Sequence, residues 1–170
     1  MTRPAFRLPI AFLLALAAVR PAGAESPANS PTASRELPPI FDKEALGERQ
    51  LDWFTRVCYQ SNRRMLVFFG TNDCVPCRTV NHAVHADKFY EAMIRQFVPV
   101  FIDVTPGGPN VDLLTKFGID PKKGMPGVVV FDNEHKLLEV LKNGEMAEVA
   151  KKGDEAVQAW ILARFIRTET

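Results

Sequence analysis

Four short apolar runs constrain this chain more than any other feature: MLVFFG (65–70), VPVFIDV (98–104), GVVVF (127–131) and KLLEVLK (136–142). The first three are continuous rather than alternating, the pattern of strands covered on both faces. Stretches of helical period separate them. In KEALGERQLDWFTRVCYQSNR, Leu51, Phe54 and Cys58 share one stripe with Val57 beside it, and Asp42 stands where a helix cap belongs. Val75 to Val84 reads as helix. Asp87 is placed to cap KFYEAMIRQF, in which Phe89, Met93 and Phe97 step by four. Asn110 is placed to cap VDLLTKF, which Gly118 ends. DNEH reads as a turn, and Asp154 opens EAVQAWILARFI with Val157, Trp160, Ile161 and Phe165 on its apolar side. Strands separated by helices imply right-handed parallel crossovers, and two strands joined by a tight turn imply an antiparallel hairpin. The expected fold is a three-layer α/β/α sandwich, a mixed central sheet of about four strands with helices on both faces.

Residues 1–24, MTRPAFRLPIAFLLALAAVRPAGA, read as an export signal peptide. Arg3 and Arg7 form a basic start, Leu8 to Val19 an apolar stretch of 12, and Ala22-Gly23-Ala24 a small-residue cleavage site. A membrane-spanning helix needs about 20 apolar residues, and no later run reaches that length. Cleavage removes Arg3, Arg7 and Arg20 and no acidic residue, so the formal charge of +1 loses three positives and becomes −2. A near-neutral chain has no electrostatic footprint for nucleic acid or anionic lipid. Residues 25–39, ESPANSPTASRELPP, have the composition of a flexible linker, and 40–170 are the length of one domain. A periplasmic or secreted protein that stays out of the membrane after cleavage, and acts as a monomer, is expected.

Three cysteines cannot close a disulfide framework, because one is left over. Cys58 lies on an apolar helical stripe and reads as a packing residue. Cys74 and Cys77 lie three apart where a buried strand gives way to a helix. A structural zinc needs four ligands, and only His82 and His85 are near; His82 would sit about 140° round the helix from Cys77. No metal site is therefore assigned. A purely structural bridge would close a very small loop and stabilise weakly. The third reading uses position: a cysteine at a helix start faces free N–H groups and the positive end of the helix dipole, which favour the thiolate. Cys74 is so placed and would attack; Cys77, one turn further in, would resolve the mixed disulfide. Pro76 suits the first turn, where its missing N–H costs nothing. Asp73 is a possible cap whose charge opposes a thiolate beside it.

FFGTNDCVPCRTV after a buried strand, followed some fifty residues later by KGMPGVVVF and then by a hairpin and helix, resembles the thioredoxin superfamily over about residues 41–166. The spacing of VHADKFYEAMIRQFVPVFIDV and the ending KNGEMAEVAKKGDEAVQAWI look more like its exported bacterial branch than like cytosolic thioredoxin. The resemblance implies a redox-active disulfide at Cys74 and Cys77, with Val75 and Pro76 as the variable residues that tune its potential. It also implies a cis-proline at Pro126, and at Met125 a backbone that pairs with an extended substrate strand. Two residues depart from the pattern. Asp73 replaces a tryptophan, and Phe68 replaces the buried acid that accepts the resolving thiol's proton; neither His82 nor Glu91 is placed by the sequence to substitute for it. The implied activity is thiol-disulfide exchange with client protein cysteines, the reductant direction slightly favoured, with no bound cofactor and a redox partner to reset the pair. Two other classes stay open: a non-catalytic binding module presenting the Met125-Pro126 groove, and a copper- or zinc-handling thiol protein.

Overall fold

The computed structural model of the protein describes residues 39–166, so the signal peptide and all but the last linker residue lie outside the described residues. The elements are α1 (Gly47–Ser61), β1 (Arg64–Gly70), α2 (Val75–Val84), α3 (Asp87–Ile94), β2 (Phe97–Asp103), α4 (Val111–Lys116), β3 (Gly127–Phe131), β4 (Leu137–Leu141), α5 (Glu145–Ala150) and α6 (Asp154–Phe165). They form the expected sandwich around one four-stranded sheet in the order β2-β1-β3-β4.

The continuous apolar runs become strands because each must satisfy two layers. Along β1, Leu66 and Phe68 face a core built with Val80, Ala83 and Val84 of α2, Phe89 and Met93 of α3, and residues of α5 and α6. Met65, Val67 and Phe69 face the opposite core, with Leu51 and Cys58 of α1 and Leu113 and Leu114 of α4. Every one of these side chains is at least nine-tenths buried. Each of the Val, Leu, Phe and Met side chains contributes roughly 1.5–3 kcal/mol of apolar burial, so β1 is held strongly from both faces.

β1 pairs with β2 in parallel, from Arg64 opposite Phe97 to Gly70 opposite Asp103. β3, however, runs antiparallel to β1, with Gly127 opposite Phe69, against the expectation that helix-separated strands are all parallel. The connection explains this. Its only α-helix, α4, has 6 residues and a length of about 9 Å, whereas β2 spans about 23 Å, so the chain enters β3 at the end of the sheet where it left β2. Residues 125–127 are thereby delivered to the end of β1 from which the cysteine segment departs. β4 then pairs antiparallel with β3, as the turn chemistry implies.

The caps differ from the reading of the sequence. Asp42 does not cap α1, which starts five residues later; its Oδ1 accepts from Glu44 N at 2.9 Å in a separate turn. Asn110 stands at the N-cap position of α4, but its side chain makes no capping bond there. It is buried, its Oδ1 accepts from Gly47 N at 2.7 Å, and its Nδ2 donates to the Ala45 and Asp103 carbonyls at 2.9 Å each. An amide carries both donor and acceptor and here serves three backbone groups of two other segments, instead of one at its own helix. Asp87 and Asp154 are the first residues inside α3 and α6, where their charge complements the helix dipole, and neither serves as a side-chain cap. Phe97 opens β2 instead of continuing the stripe of Phe89 and Met93. The sequence reading also missed α5, a six-residue helix that buries Met146, Ala147 and Ala150.

Candidate functional site

β1 ends at Gly70, and a turn closed by Cys74 N donating to Thr71 O at 3.2 Å carries the chain into α2. Cys74 is the N-cap residue of α2, with extended backbone (φ −80°, ψ 108°), and Pro76 lies in the first turn. Cys77 N donates to Cys74 Sγ at 3.2 Å, so the sulfur itself occupies the capping position and Asp73 is left exposed beside it. Hydrogen bonding from a free helix N–H and the positive dipole end both favour negative charge on this sulfur when the pair is reduced.

Cys74 and Cys77 are joined in a disulfide with Cα atoms 5.2 Å apart. The two sulfurs differ in access: Cys74 is half-buried and Cys77 is 1% exposed. Val75, between them, is among the most exposed apolar residues of the protein. From across the sheet end, the Met125 carbonyl oxygen approaches Cys74 Sγ at 3.7 Å, and the Met125–Pro126 peptide is cis. Pro126 is buried and Met125 half-buried. The structure therefore brings together all six residues singled out in the sequence, Cys74, Val75, Pro76, Cys77, Met125 and Pro126, at one end of β1.

In β1, Phe68 is fully buried and stacks on Phe101 with ring centroids 4.9 Å apart. The residue six before Cys74 is thus an apolar aromatic that offers no proton acceptor. His82 and His85 lie elsewhere. His82 hydrogen-bonds Asp154 at the start of α6, and His85 Nδ1 donates to Asn81 O at 2.9 Å and stacks on Tyr90. Glu91 is exposed on α3. Among the described residues no group of three or more His, Cys, Asp or Glu is arranged to hold a metal ion. Cys58 belongs to the core on the other face of the sheet, where burial pushes its thiol up to about 11 against a partial offset from Arg63. A thiol so placed is inert at neutral pH.

Four residues near the pair had little or no signal in the sequence. Gly70 is bare where a Cβ would lie 2.6 Å from Phe41 Cζ and 2.8 Å from Cys77 Sγ. Phe41 and Asn72, joined by hydrogen bonds between the Asn72 amide and the Phe41 backbone, are 31 residues apart in the chain. Asp103, opposite Gly70 in β2, is buried with Oδ1 accepting from Thr105 N at 2.9 Å; an acid closing an apolar run was its only trace.

A family model described as thioredoxin-like matches residues 50–133. Among solved structures, a disulphide isomerase from Xylella fastidiosa Temecula1 is 26% identical, with a TM-score of 0.67 over 75% of this chain and 97% of that one. The C-terminal domain of DsbD from Neisseria meningitidis in the reduced form is 20% identical over 64% of this chain and 97% of that one, with a TM-score of 0.43. A thioredoxin mutant from Halobacterium salinarum is 20% identical over 74% and 91%, with a TM-score of 0.45. No curated protein matches the sequence.

Proposed function

Because the chain belongs to the thioredoxin superfamily, we propose that it is an exported thiol-disulfide oxidoreductase whose Cys74–Cys77 pair exchanges with the cysteines of client proteins. One juxtaposition carries the reading: a bonded cysteine pair whose outer sulfur caps a helix and faces, at 3.7 Å, the carbonyl before a cis-proline. The disulphide isomerase from Xylella fastidiosa supports the same class of chemistry.

In the reductive direction the Cys74 thiolate attacks one sulfur of a client disulfide. An S–S bond forms between Cys74 and that sulfur, and the other client sulfur leaves as a thiolate. Cys77, once deprotonated, attacks Cys74 Sγ; the Cys74–Cys77 bond forms, the mixed disulfide breaks and the second client thiolate departs. Two electrons and two protons pass from the pair to the client, and the reverse sequence forms a client disulfide. Val75 and Pro76 form the client-facing edge, and Met125 and Pro126 the surface along which an extended client segment lies. The negative charge of the exposed Asp73 beside Cys74 opposes a thiolate there, which supports the reductant direction. The electrons reside in the pair, so no bound cofactor is required, and a second thiol-disulfide couple resets it. The basic start, apolar stretch and small-residue site of residues 1–24 support export to the periplasm, with residues 25–39 as linker and 40–170 as a monomeric working domain.

The test is the equilibrium reduction potential in a defined thiol-disulfide buffer, with a Cys58→Ser control. A reversible two-electron transition that survives the control is expected, nearer the roughly −270 mV of a reductant than the roughly −120 mV of a strong oxidant. Absence of any reversible transition would overturn the reading.

A further inference from the structure

The segment that leads into the domain is fastened to the loop that carries the cysteines. Asn72 Oδ1 accepts from Ile40 N at 2.7 Å and from Phe41 N at 3.0 Å, while its Nδ2 donates to Phe41 O at 2.8 Å. The amide thus pairs with both polar groups of Phe41 as a neighbouring strand would, which only a side chain with donor and acceptor can do. The held residue is 1% exposed. Its ring meets Phe101 edge-on at 5.8 Å. Its Cζ and the Cys77 sulfur lie 2.6 and 2.8 Å from the same point above Gly70, which makes ring and sulfur neighbours over bare backbone.

We propose that Phe41, held by Asn72, is the cover that makes the two cysteines unequal: it keeps solvent and client sulfur from Cys77, so that in the dithiol form only Cys74 is open to attack. This rests on the exchange reading above and adds to it two positioning residues outside the cysteine motif. Phe41 lies against the Cys77 sulfur over the bare backbone of Gly70. Mixed-disulfide formation is thereby confined to Cys74, and Cys77 meets only the sulfur of its own partner.

The test is alkylation of the fully reduced, full-length chain by iodoacetamide, read for each cysteine by mass spectrometry against time. Each event forms one C–S bond, releases iodide and gives the thiol proton to buffer. Cys58, buried on the opposite face, is the internal control for global opening. In the unsubstituted protein Cys74 should react much faster than Cys77. Asn72→Ala and Phe41→Ala should accelerate Cys77 about tenfold, with Cys74 changed less than about twofold and Cys58 unchanged. Asn72→Asp, which keeps the acceptor and loses the donor, should fall between, and Phe41→Leu should restore most of the protection. Equal rates at Cys74 and Cys77 in the unsubstituted protein, unchanged Cys77 rates in both alanine variants, or a rise of Cys58 in step with Cys77 would each refute the cover. A reversible couple together with unprotected Cys77 would sink this proposal alone; protected Cys77 without a reversible couple would sink the exchange reading alone.

Discussion

Substituting Gly70 by alanine tests how tightly the pair is seated. The added Cβ would lie 2.6 Å from Phe41 Cζ, 3.2 Å from its Cε1 and 2.8 Å from Cys77 Sγ. Ordinary carbon contacts are about 3.5–4.0 Å, so something must move. The Phe41 ring is backed by Phe101 and fixed through Asn72, and the sulfur is tied to Cys74. Overpacking of this kind costs about 1–3 kcal/mol, offset by about 0.5–1 kcal/mol because alanine loses less backbone freedom than glycine. A net loss of about 1–2 kcal/mol is expected for the oxidised protein. Reduction frees the Cys77 sulfur to rotate away, so the dithiol form should lose about 1 kcal/mol less. The disulfide is then disfavoured relative to the dithiol, and the potential moves in the oxidising direction by about 20 mV for each kcal/mol of difference. Urea unfolding of both redox forms, together with the potential of the variant, reads all three quantities. Stabilities within about 0.5 kcal/mol of the parent in both forms, with an unmoved potential, would show that the space above Gly70 is looser than these distances require.

Asn110→Ala strips partners from one buried N–H and two carbonyls, and should cost about 3 kcal/mol at unchanged urea m-value; a loss under about 1 kcal/mol would contradict the network. Cys58 makes stability fall at high pH. Its folded pKa of about 11 lies above the unfolded 9.0, so its contribution is complete below pH 9 and is lost at roughly 1.4 kcal/mol per pH unit between 9 and 11. In that window Cys58→Ala should have the flatter stability-pH curve, and parallel curves would show that the thiol does not stay protonated.

Strands β1, β2 and β3 could be read from the sequence because burial on two faces leaves an unbroken apolar run that little else produces. The cysteine pair could be read for a similar reason: its chemistry depends on a spacing of three at a strand-to-helix junction. The direction of β3 could not, since it depends on which end of the sheet the 104–126 connection occupies. Nor could the duties of Asn110 and Asn72, whose side chains serve backbone groups 31 to 65 residues away and leave no local period. Asp42, Asp87 and Asn110 have the residue types that favour caps, yet tertiary contacts or a shift of the helix start decide each case, whereas Asp154 opens α6 as its position implies. Six residues of α5 are too few for a helical period to show.

β1 is bonded along its whole length to β2 through seven residue pairs and to β3 through five, so its amides exchange with solvent only when the entire domain opens. The reactive sulfurs are mounted one turn beyond the last residue of that strand. Slow breathing of edge strands and loops therefore leaves their position untouched, and Cys74 does not swing out on a mobile arm. The flexibility that exchange demands has to come from the other molecule, so the readiest partners are chains whose cysteines lie in extended or locally unfolded segments.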